Sequence, residues 1–141
     1  MLAGRLPASI VAESARSLAF CDLRQPHADG DGAHVLVISR RHVETLDALT
    51  DDADTADLLR LTVRVAAALK AEYGDSYSLW QSNGEAAFQE VPHVHLHLLT
   101  RRPGDGLLQV YPGPMPAALP PAASRDQLEG LAARLRTRLP R

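Results

Sequence analysis

The segment over residues 92–99 constrains the fold more than any other part of the sequence. It reads Pro-His-Val-His-Leu-His-Leu-Leu, so histidine alternates with aliphatic residues. Successive side chains of a β-strand point to opposite faces of the sheet. We therefore predict a strand over residues 91–100 with His93, His95 and His97 on one face, about 6.6 Å apart per two-residue step. The opposite, aliphatic face is expected to pack against a helix.

Further elements follow from apolar patterning. Short apolar or β-branched runs predict strands over the segments 10–13, 17–23, 34–39 and 77–82, and the first two of these form a hairpin. One helix is predicted between Thr50, as its N-cap, and Gly74, as its stop, with Asp51 and Asp52 near the positive end of the helix dipole. The apolar stripe of this helix serves as core or, in the alternative interpretation, binds a partner; it comprises Leu58, Leu61, Val65, Ala68 and Leu69.

The C-terminal part of the chain differs in composition. Residues 103–121 are rich in proline and glycine, which predicts an irregular segment. Ser124 and Gln127 then form a capping-box signature before leucines at helical spacing. We expect an α+β fold with an antiparallel sheet, one central helix and a C-terminal helix. Residues 1–110 would form the main domain, and residues 111–141 would pack on that same domain.

Bulk composition excludes several classes of protein. The formal net charge of −2 gives no basic face for a nucleic-acid polymer. No run approaches the ~20 apolar residues of a membrane span, and the N-terminal residues lack the apolar stretch of a signal peptide. Cys21 is the single cysteine, so no disulfide forms within the chain. A cytoplasmic protein without membrane contact is therefore expected.

Three histidines at alternate positions of one strand are difficult to explain by packing alone. Imidazole acts as a nucleophile, as a proton donor and, when protonated, as a partner for phosphate charge. A nucleophilic imidazole needs its other nitrogen held by an acceptor such as a backbone carbonyl. Neutral imidazole is also a metal ligand. The pattern alone therefore leaves phosphate chemistry and a metal site as alternatives, although no cysteine pair or nearby carboxylate completes a coordination set.

The segment 93–99 resembles the signature of the histidine triad (HIT) family. Four further segments in the expected order extend the resemblance over roughly residues 4–102 of the chain. They are residues 6–8 at the start of the first strand, 18–22 in the nucleoside pocket, 32–42 in a strand and turn, and 83–92 before the triad. The resemblance implies a HIT-like fold and an enzyme acting on a small-molecule nucleotide.

The resemblance also implies roles for single residues. His95 would be the nucleophile, His93 and His97 would contact the phosphate, and His42 would complete the proton network. The implied substrate-binding residues have three roles. The acid for the ribose hydroxyls is Asp22, and the apolar base pocket comprises Leu6, Phe20 and Leu23. The loop beside the phosphates comprises Asn83, Gly84 and Gln89. His27 and His34 are interpreted as ordinary loop and strand residues.

The sequence departs from the family pattern at three positions. Ser82 stands where many members carry an amide, Glu90 where many carry a serine or threonine near the leaving group, and Phe88 where many carry glycine. The N-terminal cysteine pair that binds zinc in some members is absent, so we expect no metal and no cofactor.

We therefore expect an enzyme that attacks the α-phosphate of a nucleotide through a nucleotidyl-histidine intermediate and releases a nucleoside monophosphate. It would resemble the family's nucleoside phosphoramidases or dinucleoside polyphosphate hydrolases and, as is usual there, form a homodimer. A nucleotidyl transferase, a metal-dependent enzyme and a nucleotide-binding regulator with little turnover remain alternatives. The sequence leaves the leaving group and the base open.

Overall fold

The computed structural model describes residues 8–26 and 31–107, which form a five-stranded sheet and one long helix. The elements are β1 (Ile10–Glu13), β2 (Ser17–Cys21), β3 (His34–Ser39), α1 (Asp52–Tyr73), β4 (Tyr77–Trp80) and β5 (His95–Thr100). The strand order is β1-β2-β3-β5-β4, and every neighbouring pair is antiparallel. The predicted α+β class with an antiparallel sheet is confirmed. Leu6, the boundary at residue 110 and the predicted C-terminal helix lie outside the described residues.

The sheet buries its two faces differently. Val35 and Val37 of β3, with Leu98 of β5, point towards α1 and form the main core. The next residues along β3, Leu36 and Ile38, point to the other face. Because side chains alternate along a strand, a single central strand thereby lines both the core and the opposite face.

Helix α1 begins one residue later than the sequence predicted. Asp51, not Thr50, is the N-cap, because its carboxylate accepts a hydrogen bond of 2.9 Å from the amide of Asp54. Gly74 ends the helix as expected and has a φ of 96°. The predicted buried stripe is confirmed except at Ala68, which is exposed. Thr62 and Ala66 of the helix are buried in addition to the predicted residues.

The predicted triad strand was too long at its N-terminal end. β5 begins at His95 rather than at residue 91, because Pro92 has no amide hydrogen for the ladder and the chain bends there. The amide of His93 instead donates to the carbonyl of Val91, at 2.8 Å. His93 therefore shares no strand with His95 and His97, and alternation does not determine where its side chain points. β2 and β4 likewise end two residues early, at Cys21 and Trp80.

Within the described residues, no helix is long and apolar enough to cross a membrane.

Candidate active site

An apolar cavity of about 390 Å³ opens on the sheet face opposite α1. Phe20 of β2 and Leu36 and Ile38 of β3 form its floor, and Val91 closes one side. Three histidines complete the lining: His42, His93 and His95. A cavity of this size with apolar walls and a few convergent polar groups is typical of a small-molecule site.

His95 has the hydrogen-bond geometry of a nucleophile. The residue is 9% exposed, and Nδ1 lies 2.6 Å from the carbonyl oxygen of His93. A carbonyl only accepts hydrogen bonds, so Nδ1 carries the proton of the neutral ring. The lone pair of the imidazole is therefore left on Nε2, and the ring lines the cavity.

His93 is held at both ring nitrogens although it precedes β5. Its Nε2 donates to the carbonyl of Ser39 at 2.8 Å, and its Nδ1 lies 3.2 Å from Nδ1 of His42. Partial burial lowers the pKa of His93, the neighbouring His42 and His95 lower it further, and the Ser39 carbonyl opposes them. His93 is therefore neutral near pH 7, and its Nδ1 accepts from Nδ1–H of His42.

His34 belongs to the site, although the sequence interpretation treated it as an ordinary strand residue. Its Nε2 lies 3.0 Å from Nδ1 of His97, and its Nδ1 donates to the carbonyl of Arg24 at 3.1 Å. A carboxylate oxygen of Asp22 lies 3.9 Å from the same Nδ1. When His34 is neutral, its Nε2 accepts from Nδ1–H of His97.

His97 is enclosed by aromatic rings. The indole of Trp80 stacks on it with centroids 4.3 Å apart and planes 4° apart, and His34 stacks at 5.2 Å. The pKa of His97 is lowered to about 4, chiefly by burial and also by His95 and His34, while the carboxylate of Asp22 opposes the shift. His97 is therefore neutral at physiological pH.

Asp22 lies where β2 gives way to a turn. Its carboxylate accepts from the amide of Arg24 at 2.6 Å. Gln25, which the sequence interpretation missed, fixes this turn to β3: its side-chain oxygen accepts from the amide of His34 at 3.0 Å, and its amide group donates to the carbonyl of His34. The turn thereby holds the Asp22 carboxylate beside His34.

The predicted phosphate loop is held by its own amide side chains. Asn83 accepts from the amide of Leu46 at 2.7 Å, and Gln89 accepts from the amide of Gly84 at 2.7 Å. Gln89 also donates to the carbonyl of Val91 at 3.1 Å. These bonds shape the loop that leads into the cavity wall and His93.

Phe88 occupies the left-handed region in this loop. Its φ is 61° and its side chain is 89% exposed. This conformation favours glycine, which agrees with the residue that the resemblance leads one to expect there.

The structure places the residues predicted for the base pocket differently from one another. Phe20 lines the cavity, whereas Leu6 lies outside the described residues. Leu23 is 99% exposed and does not line the cavity, because β2 has ended before it. Leu36 and Ile38 were missed as lining residues: the run 34–39 is apolar on both faces, so its pattern does not indicate which residues face the cavity.

The turn that carries His42 is tied to the start of α1. Nε of Arg41 lies 2.9 Å from one oxygen of the buried Asp54 carboxylate, and Nη1 of Arg16 lies 2.8 Å from the other. The hydroxyl of Ser39 donates to the carbonyl of Arg41 at 2.6 Å. These contacts fix the backbone on which His42 stands.

Between residues 8–26 and 31–107, no three His, Cys, Asp or Glu side chains are arranged to hold a metal ion.

Comparison with known proteins identifies the family. A family model described as the HIT domain matches residues 3–104. An uncharacterised HIT-like protein of Methanocaldococcus jannaschii is 36% identical over 103 residues, covering 73% of this chain and 76% of that protein. An adenosine 5′-monophosphoramidase of Schizosaccharomyces pombe is 38% identical over 98 residues, covering 70% of this chain and 68% of that protein.

Solved structures agree with this result. A HIT family member from Bacillus subtilis has a TM-score of 0.81 at 26% identity, covering 99% of this chain and 94% of that one. A HIT family protein from Bacillus anthracis has a TM-score of 0.80 at 28% identity, covering 99% and 93%, respectively. The matched domain, the sequence relatives and the fold all agree, and the chain belongs to the HIT family.

Proposed function

We propose that this protein is a nucleotide hydrolase that attacks the α-phosphate through His95 and releases a nucleoside monophosphate. The observation that carries the proposal is the bond between Nδ1 of His95 and the carbonyl of His93, which leaves the lone pair on Nε2 of a ring that lines the cavity. The similarity to adenosine 5′-monophosphoramidases supports the same reaction class.

The cavity suggests how a nucleotide binds. The base would occupy the apolar space over Phe20, Leu36 and Ile38, and these three described side chains offer no polar group to select among bases. The carboxylate of Asp22 would accept hydrogen bonds from the ribose hydroxyls. The α-phosphate would then lie at the histidine edge of the cavity, beside His95.

The remaining predicted residues would surround the phosphate. His93 and His97 would contact its oxygens from either side of the nucleophile, and His42 would exchange protons with His93. The loop formed by Asn83, Gly84 and Gln89 would border the phosphates through its backbone, because its amide side chains are engaged within the protein.

The reaction would proceed in two steps. Nε2 of His95 attacks phosphorus, the bond to the leaving group breaks, and the leaving group departs with the electron pair and takes a proton from a protonated neighbouring imidazole. The carbonyl of His93 stabilises the positive charge that develops on His95, because the Nδ1–H bond strengthens as the ring becomes cationic. Water then attacks phosphorus and gives a proton to the imidazole that protonated the leaving group; the P–N bond breaks with its electron pair returning to Nε2, and neutral His95 is restored.

We propose a cytoplasmic homodimer without metal or cofactor, acting on a nucleoside phosphoramidate or a dinucleoside polyphosphate. Glu90, which is exposed in the loop before Val91, would lie near the leaving group and influence this choice.

The test compares wild type with His95→Ala and His95→Gln on a panel of nucleoside phosphoramidates, dinucleoside polyphosphates and nucleotide sugars. Glutamine keeps much of the volume and a donor for the His93 carbonyl, so it controls for local collapse. Both variants should lose kcat by about 10³-fold or more while retaining nucleoside monophosphate binding, because Asp22 and the apolar cavity remain. Circular dichroism verifies folding.

Quenched wild-type reactions should carry a nucleotidyl adduct on His95, seen by mass spectrometry, that both variants lack. Near-normal turnover of either variant would refute the mechanism. Activity abolished by a chelator and restored by a metal would favour the metal-dependent alternative. Formation of a nucleoside diphosphate when inorganic phosphate replaces water would identify a transferase, and binding without turnover of any panel member would indicate a regulator.

A further inference from the structure

Trp80 occupies a position in direct register with the triad. It is the last residue of β4, and its cross-strand partner on β5 is His97. β4 is an edge strand of the sheet formed by the described residues, and its alternate residues Tyr77 and Leu79 are 41% and 49% exposed. Trp80 is instead half-buried, with its indole against the two imidazoles of His97 and His34.

His97 needs a second constraint that the other two triad histidines already have. His93 is bonded at both ring nitrogens, and the ring of His95 is buried and bonded to a carbonyl. His97 is half-buried, and its ring bonds to His34, another side chain. The rings of His34, at 5.2 Å, and of His95, edge-on at 4.7 Å, also contact it, but neither lies as close and as parallel to His97 as the indole does. The parallel indole at 4.3 Å prevents the imidazole from tilting.

We propose that Trp80 is a positioning residue for His97: by stacking in register on the imidazole, it holds Nδ1 towards His34 and Nε2 towards the phosphate. This inference rests on the proposed function, in which His97 contacts the phosphate. The indole also keeps water from one face of His97. The titratable groups around His97 are His95 on the same strand, His34 on β3 and Asp22 behind His34.

The contact itself is tested without substrate. Trp80 is the only tryptophan of the chain, so indole fluorescence reports on this residue alone. A protonated imidazole in contact with an indole quenches its emission. Fluorescence of the ligand-free protein should fall as the pH decreases towards about 4, where His97 gains its proton. In His97→Asn most of this change should disappear, while circular dichroism shows the fold intact over the same range. An unchanged titration in His97→Asn refutes the contact.

The catalytic role is tested by a double-mutant cycle. Trp80→Leu keeps apolar bulk but removes the stacking face, and Trp80→Phe keeps a smaller face. We expect Trp80→Leu to lower kcat by about 3- to 10-fold with little change in KM, and Trp80→Phe to recover most of this loss. The acid limb of the pH–rate profile should move to higher pH in Trp80→Leu, because the imidazole becomes better hydrated. The same Trp80→Leu change in a His97→Asn background should have no further effect on kcat.

The matched control is Tyr77→Leu, an aromatic-to-leucine change on the same edge strand but on the opposite face, which should leave kcat unchanged. An equal effect of Trp80→Leu in both His97 backgrounds overturns the proposal, since Trp80 would then act independently of His97. A failure of the proposed function gives a different result from a failure of this inference. In that case His95→Ala would remain active, whatever the fluorescence titration and the double-mutant cycle show.

Discussion

Replacing Asp54 by asparagine should lower the free energy of unfolding by about 2 kcal/mol. The carboxylate side chain is 6% exposed, and it binds Arg16 and Arg41 at 2.8 and 2.9 Å. A charged hydrogen bond contributes about 1.5–3 kcal/mol, and breaking a fully buried pair costs about 3–5 kcal/mol. The two arginines are 49% and 50% exposed, so their guanidinium groups regain hydration and the cost is smaller.

Asparagine preserves the size of the side chain, so the change tests charge rather than packing. One of its two terminal groups is a donor, and it would face a guanidinium that also only donates. The matched control is Asp52→Asn, which removes a charge from the same first turn at an exposed position. Only the helix-dipole contribution of about 0.3–1 kcal/mol should be lost there. Urea unfolding followed by circular dichroism measures both variants. Losses that agree within about 0.5 kcal/mol would show that the buried ion pairs contribute nothing measurable.

Asp22→Ala should weaken binding of nucleoside monophosphates by about 1–3 kcal/mol in calorimetry and leave 2′,3′-dideoxynucleotides unaffected; equal losses would place Asp22 outside the ribose site. Because burial lowers the pKa of His97 to about 4, the unfolded chain takes up its proton first, and stability should fall as pH decreases from about 6.5 to about 4. In His97→Asn, the free energy of unfolding measured in urea should depend less on pH between these two values. Phe88→Gly should raise the unfolding free energy by about 0.5–1 kcal/mol, because a left-handed backbone costs a bulky residue about 1–2 kcal/mol and the unfolded-state freedom of glycine offsets part of this. Phe88→Ala, which keeps the Cβ, should show no such gain.

The sequence predicted the strands and the helix because apolar residues recur with the period of the side chains in each element, two residues in a strand and about 3.6 in a helix. His95 and His97 alternate with aliphatic residues, of which Val94 and Leu98 are buried, and this alternation indicated both the strand and its polar face. The pattern could not predict where β5 begins, since Pro92 continues the apolar run but cannot donate to the ladder. It also could not place His93, whose position depends on the Ser39 carbonyl, a tertiary contact.

His34 shows why part of the site was missed. Alternation along β3 places His34 on the same face as Leu36 and Ile38. Only strand pairing shows that this face also carries His97, whose cross-strand partner is Leu36. The sequence does not give the register between β3 and β5. The register matters, because a shift of one residue would turn His34 towards α1. A histidine that begins an otherwise apolar strand is a weak signal, and it becomes informative only once the neighbouring strand is known.

The hydrogen bonds among the histidines lead to a last prediction: nucleotide binding should take up protons. Backbone carbonyls fix the tautomers of three rings, those of His93, His95 and His34. His42 and His97 must then donate from Nδ1 to their histidine partners. With every ring neutral, Nε2 of His42, His95 and His97 each carries a lone pair, and lone pairs repel phosphate oxygens.

A phosphate anion at this edge therefore requires at least one imidazole to become a donor. Protonation of His34, which lies 3.9 Å from Asp22, would convert His97 into the tautomer that donates from Nε2. A suitable ligand is a nucleoside 5′-phosphate methyl ester, whose single charge does not titrate near neutral pH. Its binding enthalpy, measured by calorimetry near pH 7.5 in buffers of different ionisation enthalpy, should reveal uptake of about 0.5–1 proton per site. Binding enthalpies that are independent of the buffer would contradict the tautomers assigned from these hydrogen bonds, because a site that already presents a donor to the phosphate needs no additional proton.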